Sequence, residues 1–129
     1  MHDFKRFPEL ANSQVDFYYW DSPHKQIFEN FNCKVIHVTD GDTIKVEWDE
    51  RDFHFPVRML HIDALELEEG GRQSRDWLKE RIEGEEVEIL INPKQRVGKW
   101  GRILGQVIHQ GVNINEESMT TGHSIPFEK

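Results

Sequence analysis

Three short groups of charged residues lie at or near the ends of stretches in which apolar and polar residues alternate. The first group is Asp40-Gly41-Asp42-Thr43, in which a glycine that permits a sharp turn separates two carboxylates. An ordinary Asp-Gly hairpin would explain this group by itself. A chemical role for these carboxylates therefore requires further charged residues elsewhere in the chain.

The second group combines one cation with two carboxylates. Arg58 lies inside the apolar stretch from Val57 to Ile62, and Asp63 and Glu66 come at the end of that stretch. A charge inside such a strand needs a partner, and crowded carboxylates raise one another's pKa unless a divalent cation relieves their repulsion. Oxygen ligands, without a cysteine or histidine pair at metal spacing, favour Ca²⁺ or Mg²⁺ over zinc.

The third group is Lys99-Trp100-Gly101-Arg102, within a stretch from Asn92 to Gln110 that contains four cations and no acid. Lys99 can meet a phosphate, and Trp100 can stack on a base without demanding sequence, although the indole could equally anchor the loop. The whole chain has a net charge of −8, which argues against a protein that coats nucleic acid through a large basic face. The chain is therefore acidic, with this one basic stretch.

A small barrel is the fold expected to position these groups. Period-two alternation predicts five strands, and a 3.6-residue pattern predicts two short helices. The strands are expected around Cys33–Val38, Ile44–Trp48, Phe53–Ile62, Val87–Ile91 and Ile103–Ile108, with one helix over 73–82 and a second that is capped by Asn113 or Asn115. This order predicts a mainly β member of the α+β class, a five-stranded OB-fold-type barrel.

The first 31 residues form an aromatic-rich extension without helical or strand periodicity, and residues 32–129 form the regular domain. A strap packed on the domain is the favoured interpretation of the extension, while a homodimer contact and a base-stacking arm stay open. No stretch is apolar enough for a signal peptide or a membrane span. The single cysteine, Cys33, is expected to be a buried, inert thiol, and a cytoplasmic location is expected.

Taken in this order, the motifs DGDT, RxxxxDxxE and KWGR resemble the signature of the staphylococcal nuclease (thermonuclease) family. The likeness covers about residues 32–123. It implies an OB-type barrel with flanking helices and a Ca²⁺-dependent hydrolysis of DNA or RNA that leaves a 3′-phosphate. Such an enzyme would cut phosphodiester bonds with little sequence specificity.

The same resemblance assigns roles to individual residues. It implies that Asp42, Asp63 and the backbone carbonyl of Ala64 bind the metal. Glu66 would contact the attacking water, and Arg58 and Arg102 would bind the phosphate. Asp40 resembles a further acid close to the metal, or it simply closes the turn. Lys99 and Trp100 would contact the rest of the nucleic acid.

Two departures from the family pattern concern the substrate. The loop after Glu66 is short, and the segment 122–129 offers no secure counterpart of the family's third helix and nucleotide-binding tyrosines. The alternative function is a non-cleaving module that binds nucleic acid or a protein. Because the two aspartates, the glutamate and both arginines are all present, an enzyme is the favoured interpretation.

Overall fold

Five strands of the computed structural model close into a barrel. The structure describes residues 9–64, 71–98 and 102–126. The strands there are β1 (Phe31–Asp40), β2 (Thr43–Glu47), β3 (Phe55–Met59), β4 (Ile62–Ala64), β5 (Glu86–Leu90), β6 (Ile103–His109), β7 (Val112–Asn113) and β8 (Ser124–Pro126). The helices there are α1 (Val15–Tyr18), which short 3₁₀ turns flank, α2 (Gly71–Ile82) and α3 (Ile114–Thr120).

The barrel runs in the order β3-β2-β1-β5-β6, and a parallel pairing of β3 with β6 closes it. The other barrel pairs are antiparallel. β7 extends the sheet beyond β6 through the two-residue turn Gln110-Gly111, whose φ angles of 50° and 82° suit the right-handed twist of a hairpin. The predicted fold, a mainly β five-stranded barrel of the OB type with two flanking helices, is confirmed.

Alternating side chains of the strands fill the barrel, as their periodicity predicts. Phe55, Val57 and Met59 of β3 are buried, while the residues between them are partly exposed. β5 and β6 approach closely at Gly105, where an added Cβ would stand 2.4 Å from Cγ2 of Ile89. Cys33 is buried as predicted, and desolvation raises the pKa of its thiol to about 12, which disfavours the reactive thiolate.

The third predicted strand, Phe53 to Ile62, is wrong in one respect because the chain leaves the barrel before its end. β3 stops at Met59, and the chain turns at Leu60-His61, where His61 has a φ of 66°. It resumes as β4, which pairs with β8 in a separate two-stranded sheet. Periodicity gave no sign of β8, since a strand of three residues is too short to show alternation.

The two longer helices pack on the barrel and on each other. α2 buries Ser74, Leu78 and Ile82, and Nε of its Arg81 lies 2.7 Å from Oε1 of Glu117 on α3. α3 begins at Asn113, whose side chain accepts a hydrogen bond from the backbone N–H of Glu116. Among the described residues, no helix is long and apolar enough to cross a membrane.

Residues 9–30 of the extension pack on the barrel through a buried ion triad. The carboxylate of Glu9 lies between two guanidiniums: Arg51 contacts Oε1, and Nη2 of Arg96 lies 3.1 Å from Oε2. Side-chain exposure is 1% or less for all three residues. Desolvation lowers the pKa of Arg51 to about 10, and repulsion from Arg96 adds to this shift. The favoured interpretation, a strap packed on the domain, is confirmed for this part of the extension.

The strap gives the first testable prediction. We expect Glu9→Gln to lower the free energy of unfolding by about 3–5 kcal/mol, because two buried guanidiniums then lack their counter-charge. The matched control is Glu50→Gln, which removes an exposed pair with Lys25 and costs about 0–1 kcal/mol. Urea unfolding measures both changes. Equal losses in the two variants would contradict a fastening role for the triad.

Candidate active site

Asp40 and Asp42 lie in the turn that joins β1 to β2. The backbone N–H of Asp42 donates to Oδ1 of Asp40 at 3.2 Å, which is a local Asx turn. The hydroxyl of Thr43 donates to Oδ1 of Asp42 at 3.1 Å. Partial desolvation raises the pKa of Asp40 to about 6, and a side-chain hydrogen bond with Asp42 and repulsion from its charge add to the rise, whereas the backbone N–H of Asp42 opposes it. Two carboxylates are thus crowded at this strand end.

Arg58 binds Asp42 from the neighbouring strand. It stands opposite Thr43 in the β2–β3 register, and its Nη2 lies 3.4 Å from Oδ2 of Asp42. Its Nη1 donates to the carbonyls of Met59 at 2.6 Å and Ile62 at 2.8 Å. Both charged side chains are largely buried, with exposures of 15% and 16%. The charge inside the apolar strand therefore has the partners that the sequence requires.

These hydrogen bonds explain why β3 ends where it does. The carbonyls of Met59 and Ile62 both turn toward one guanidinium nitrogen, so the chain between them must fold back. The backbone of Asp63 comes directly after Ile62, at the start of β4. Arg58 thus connects the Asp42 carboxylate to the backbone that leads into the predicted metal ligands.

Arg102 lies directly before β6, the strand that pairs with β3. Leu104 stands opposite Arg58 in the parallel β3–β6 register, and Arg102 precedes Leu104 by two residues. Residues two apart in an extended chain point to the same face, and their spacing puts the Cα atoms of the two arginines on the order of 8 Å apart. Nε of Arg102 is buried without a hydrogen-bond partner among the described residues.

The structure describes the remaining predicted site residues only in part. Glu66, Lys99 and Trp100 lie outside the described residues, and of Asp63 and Ala64 only the backbone is described. Among the side chains that are described, no three histidines, cysteines or acids form a group that could hold a metal ion. The structure therefore brings together Asp40, Asp42 and Arg58, with Arg102 directly before the adjacent strand β6.

A buried asparagine that the sequence suggested only as a helix cap supports the site. Asn115 is 3% exposed, and its amide nitrogen donates to the carbonyl of Leu60 at 2.8 Å. Its Oδ1 accepts from the backbone N–H of Val107 at 3.0 Å. Asn115 thereby fixes the turn before β4 to β6, whereas Asn113 caps the helix. Sequence alone cannot separate these two roles because both residues precede the same helical pattern.

The basic stretch is smaller in the structure than in the sequence. Arg96 is 2% exposed and binds Glu9, so its charge is not presented to a ligand. Lys94 is exposed, and Arg102 is partly exposed. The basic stretch therefore loses one of its four cations as a contact for nucleic acid.

Comparison with known proteins assigns the chain to a family. A sequence model for staphylococcal nuclease homologues matches residues 56–126, which is more than half of the chain. This chain belongs to the staphylococcal nuclease homologue family. The matched segment includes Arg58, Asp63, Glu66 and Arg102, and membership agrees with the barrel described above.

One curated relative is similar to most of the chain. An uncharacterized protein of Bacillus anthracis is 30% identical over 104 residues. The alignment covers 75% of this chain and 48% of the relative. The chain thus spans about half the length of that curated relative.

Proposed function

We propose that this protein is a Ca²⁺-dependent nuclease that hydrolyses phosphodiester bonds of DNA, RNA or both, with little sequence specificity, and leaves 3′-phosphate ends. The observation that supports this most is the guanidinium of Arg58, which joins Asp42 to the backbone before Asp63 in a chain of the nuclease family. Arg58 lies on β3, and Asp42 and Arg102 directly precede β2 and β6, the two strands that pair with β3.

The two arginines suit the electrostatics of the reaction. A phosphodiester is an anion that resists attack, so its charge must be neutralised by donors aimed at its oxygens. A guanidinium presents a planar fork of N–H groups that matches two phosphoryl oxygens. We assign this role to Arg58 and Arg102. Glu66 would contact the attacking water, either as the general base or as the group that orients the water.

The donor set fits a hard divalent cation. Asp42 and Asp63 would hold Ca²⁺ together with the carbonyl oxygen of Ala64, and Asp40 would stand close by. Oxygen donors are the ligands that Ca²⁺ prefers. Desolvation is the main cause of the raised pKa of Asp40, and a cation would relieve the repulsion from Asp42 that adds to it. When bound, Ca²⁺ supplies positive charge to the phosphate and to the attacking water.

Few residues are available to bind the nucleic acid away from the phosphate that is cut. We propose that Lys99 and Trp100 contact the nucleic acid. With a net charge of −8, the protein must bind substrate through few cations.

We also propose that residues 1–31 form an extension to a nuclease-like domain of residues 32–129. A homodimer contact through the extension stays a prediction. The side chain of Trp20, which is 91% exposed, offers an aromatic surface for such a contact.

Cleavage assays test the proposal directly. We expect cutting of single-stranded DNA, double-stranded DNA or RNA in Ca²⁺, and no cutting after a chelator removes the metal. Arg58→Ala and Arg102→Ala should each lower kcat by about 100- to 1,000-fold, because each removes donors from the charge that develops on the phosphate. Arg75→Ala, which removes a cation from the exposed face of α2, is the matched control. Binding without cleavage in any metal would support the non-cleaving module instead.

A metal titration separates the two roles of Arg58. Because Arg58 partly neutralises Asp42, we expect Arg58→Ala to tighten Ca²⁺ binding by about 3- to 30-fold even as cleavage is lost. Arg58→Lys keeps the charge but not the fork, so it should bind Ca²⁺ like the parent and still cleave poorly. Isothermal titration calorimetry without substrate measures the affinities. Equal Ca²⁺ binding by Arg58→Ala, Arg58→Lys and the parent would contradict a cation that sits beside Asp42 and Arg58.

A further inference from the structure

Arg96 and Arg102 belong to two short chain segments that pair with each other at the start of β6. We define the Arg96 arm as residues 96–98 together with residues 102–104, which pair with them. The backbone N–H of Leu104 donates to the carbonyl of Arg96 at 2.9 Å, and Val97 forms an antiparallel bridge with Ile103. The N–H of Gly98 donates to the carbonyl of Arg102 at 2.8 Å. Arg96 and Arg102 therefore belong to two short segments that these hydrogen bonds join.

The extension binds the guanidinium of Arg96 on all its nitrogens. Nε donates to the carbonyl of Ile27 at 2.7 Å, and Nη1 donates to the carbonyl of Leu10 at 2.8 Å. Nη1 also lies 3.0 Å from Oδ1 of Asn12, and Nη2 lies 3.1 Å from Oε2 of Glu9. The guanidinium carbon lies 4.2 Å from the ring centroid of Phe28, which is also part of the extension.

Asn12 makes a second contact with the same loop. Its Nδ2 donates to the carbonyl of Pro93 at 2.9 Å, three residues before Arg96. Asn12 is itself exposed, so its two hydrogen bonds to this loop are not a by-product of core packing. Asn12 thus contacts both the loop before the Arg96 arm, at Pro93, and the guanidinium of Arg96.

The position of the Arg102 guanidinium depends on the backbone that carries it. Its Nε is buried and has no hydrogen-bond partner among the described residues. When the main chain at Arg102 moves, the guanidinium moves with it. A shift of the arm would therefore move this guanidinium relative to Arg58, and misplacement by about 1 Å can cost a large part of a catalytic rate.

We infer that the amino-terminal extension positions Arg102 for phosphate binding through the Arg96 arm, with Glu9, Asn12 and Arg96 as positioning residues. This inference rests on the proposed function for its effect on rate. The structural part of the inference, that the extension restrains the Arg96 arm, does not depend on the proposed function. Asn12 is the best residue to change, because Glu9 and Arg96 are buried charges whose loss can unfold the protein.

Hydrogen exchange tests the restraint without any reaction. We expect Asn12→Ala to speed exchange of the Gly98 and Leu104 amides by about 5- to 50-fold while the amides of β1 and β2 keep their rates. Lys25→Ala is the matched control, because it removes an exposed contact of the extension to Glu50, away from the arm. Unchanged exchange at Gly98 and Leu104 in Asn12→Ala would overturn the inference.

A double-mutant cycle tests the link to Arg102. We expect Asn12→Ala to lower kcat by about 3- to 10-fold with little change in KM, and to have no further effect when Arg102→Lys is already present. An equal loss of kcat in both backgrounds would overturn the inference, since the effect would then not pass through Arg102. A parent protein that cleaves nothing refutes the proposed function instead, and the hydrogen exchange alone then decides whether the extension restrains the arm.

Discussion

The organisation of the site depends on one charge held inside the barrel wall. Arg58 belongs to a buried strand, so its guanidinium must be satisfied within reach of that strand. It binds the carboxylate of Asp42 on one side and the carbonyls of Met59 and Ile62 on the other. The same hydrogen bonds end β3 and direct the chain into β4. Because the guanidinium of Arg58 needs hydrogen-bond partners, it forms the ion pair with Asp42 and also breaks the strand before Asp63.

Two further polar groups fix the surroundings of this charge. Asn115 ties the turn at Leu60 to β6, and β6, which Arg102 directly precedes, pairs in parallel with the strand of Arg58. Arg96 likewise fixes a loop, because its buried guanidinium binds the loop before β6 to the extension. The barrel supplies the rigid wall, and these hydrogen bonds decide where its charged residues point. Such directed support is what a site needs if its donors are to be placed before substrate arrives.

Much of the fold could be predicted from the sequence, because alternation along β1, β2, β5 and β6 is a local signal of burial. The groups DGDT and RxxxxDxxE could be recognised for a similar reason, since charges at the ends of apolar strands stand out. The end of β3 at Met59 could not, because it results from contacts of Arg58 and Asn115 that depend on how the chain folds back. Arg96 looked like part of a basic surface, and only tertiary structure shows that Glu9 neutralises it in the interior. Periodicity indicates burial along a strand, but it carries no information on which distant partner a charged residue finds.

The central claim is that these residues form a hydrolytic site that releases the 5′-oxygen of the leaving nucleotide. Its most direct measurement is the identity of the ends formed when the purified protein cuts a labelled oligonucleotide in Ca²⁺, read by mass spectrometry. Hydrolysis of the P–O5′ bond adds one water and predicts fragments with 3′-phosphate and 5′-hydroxyl ends. Fragments with 5′-phosphate ends, or no fragments at all, would contradict the claim.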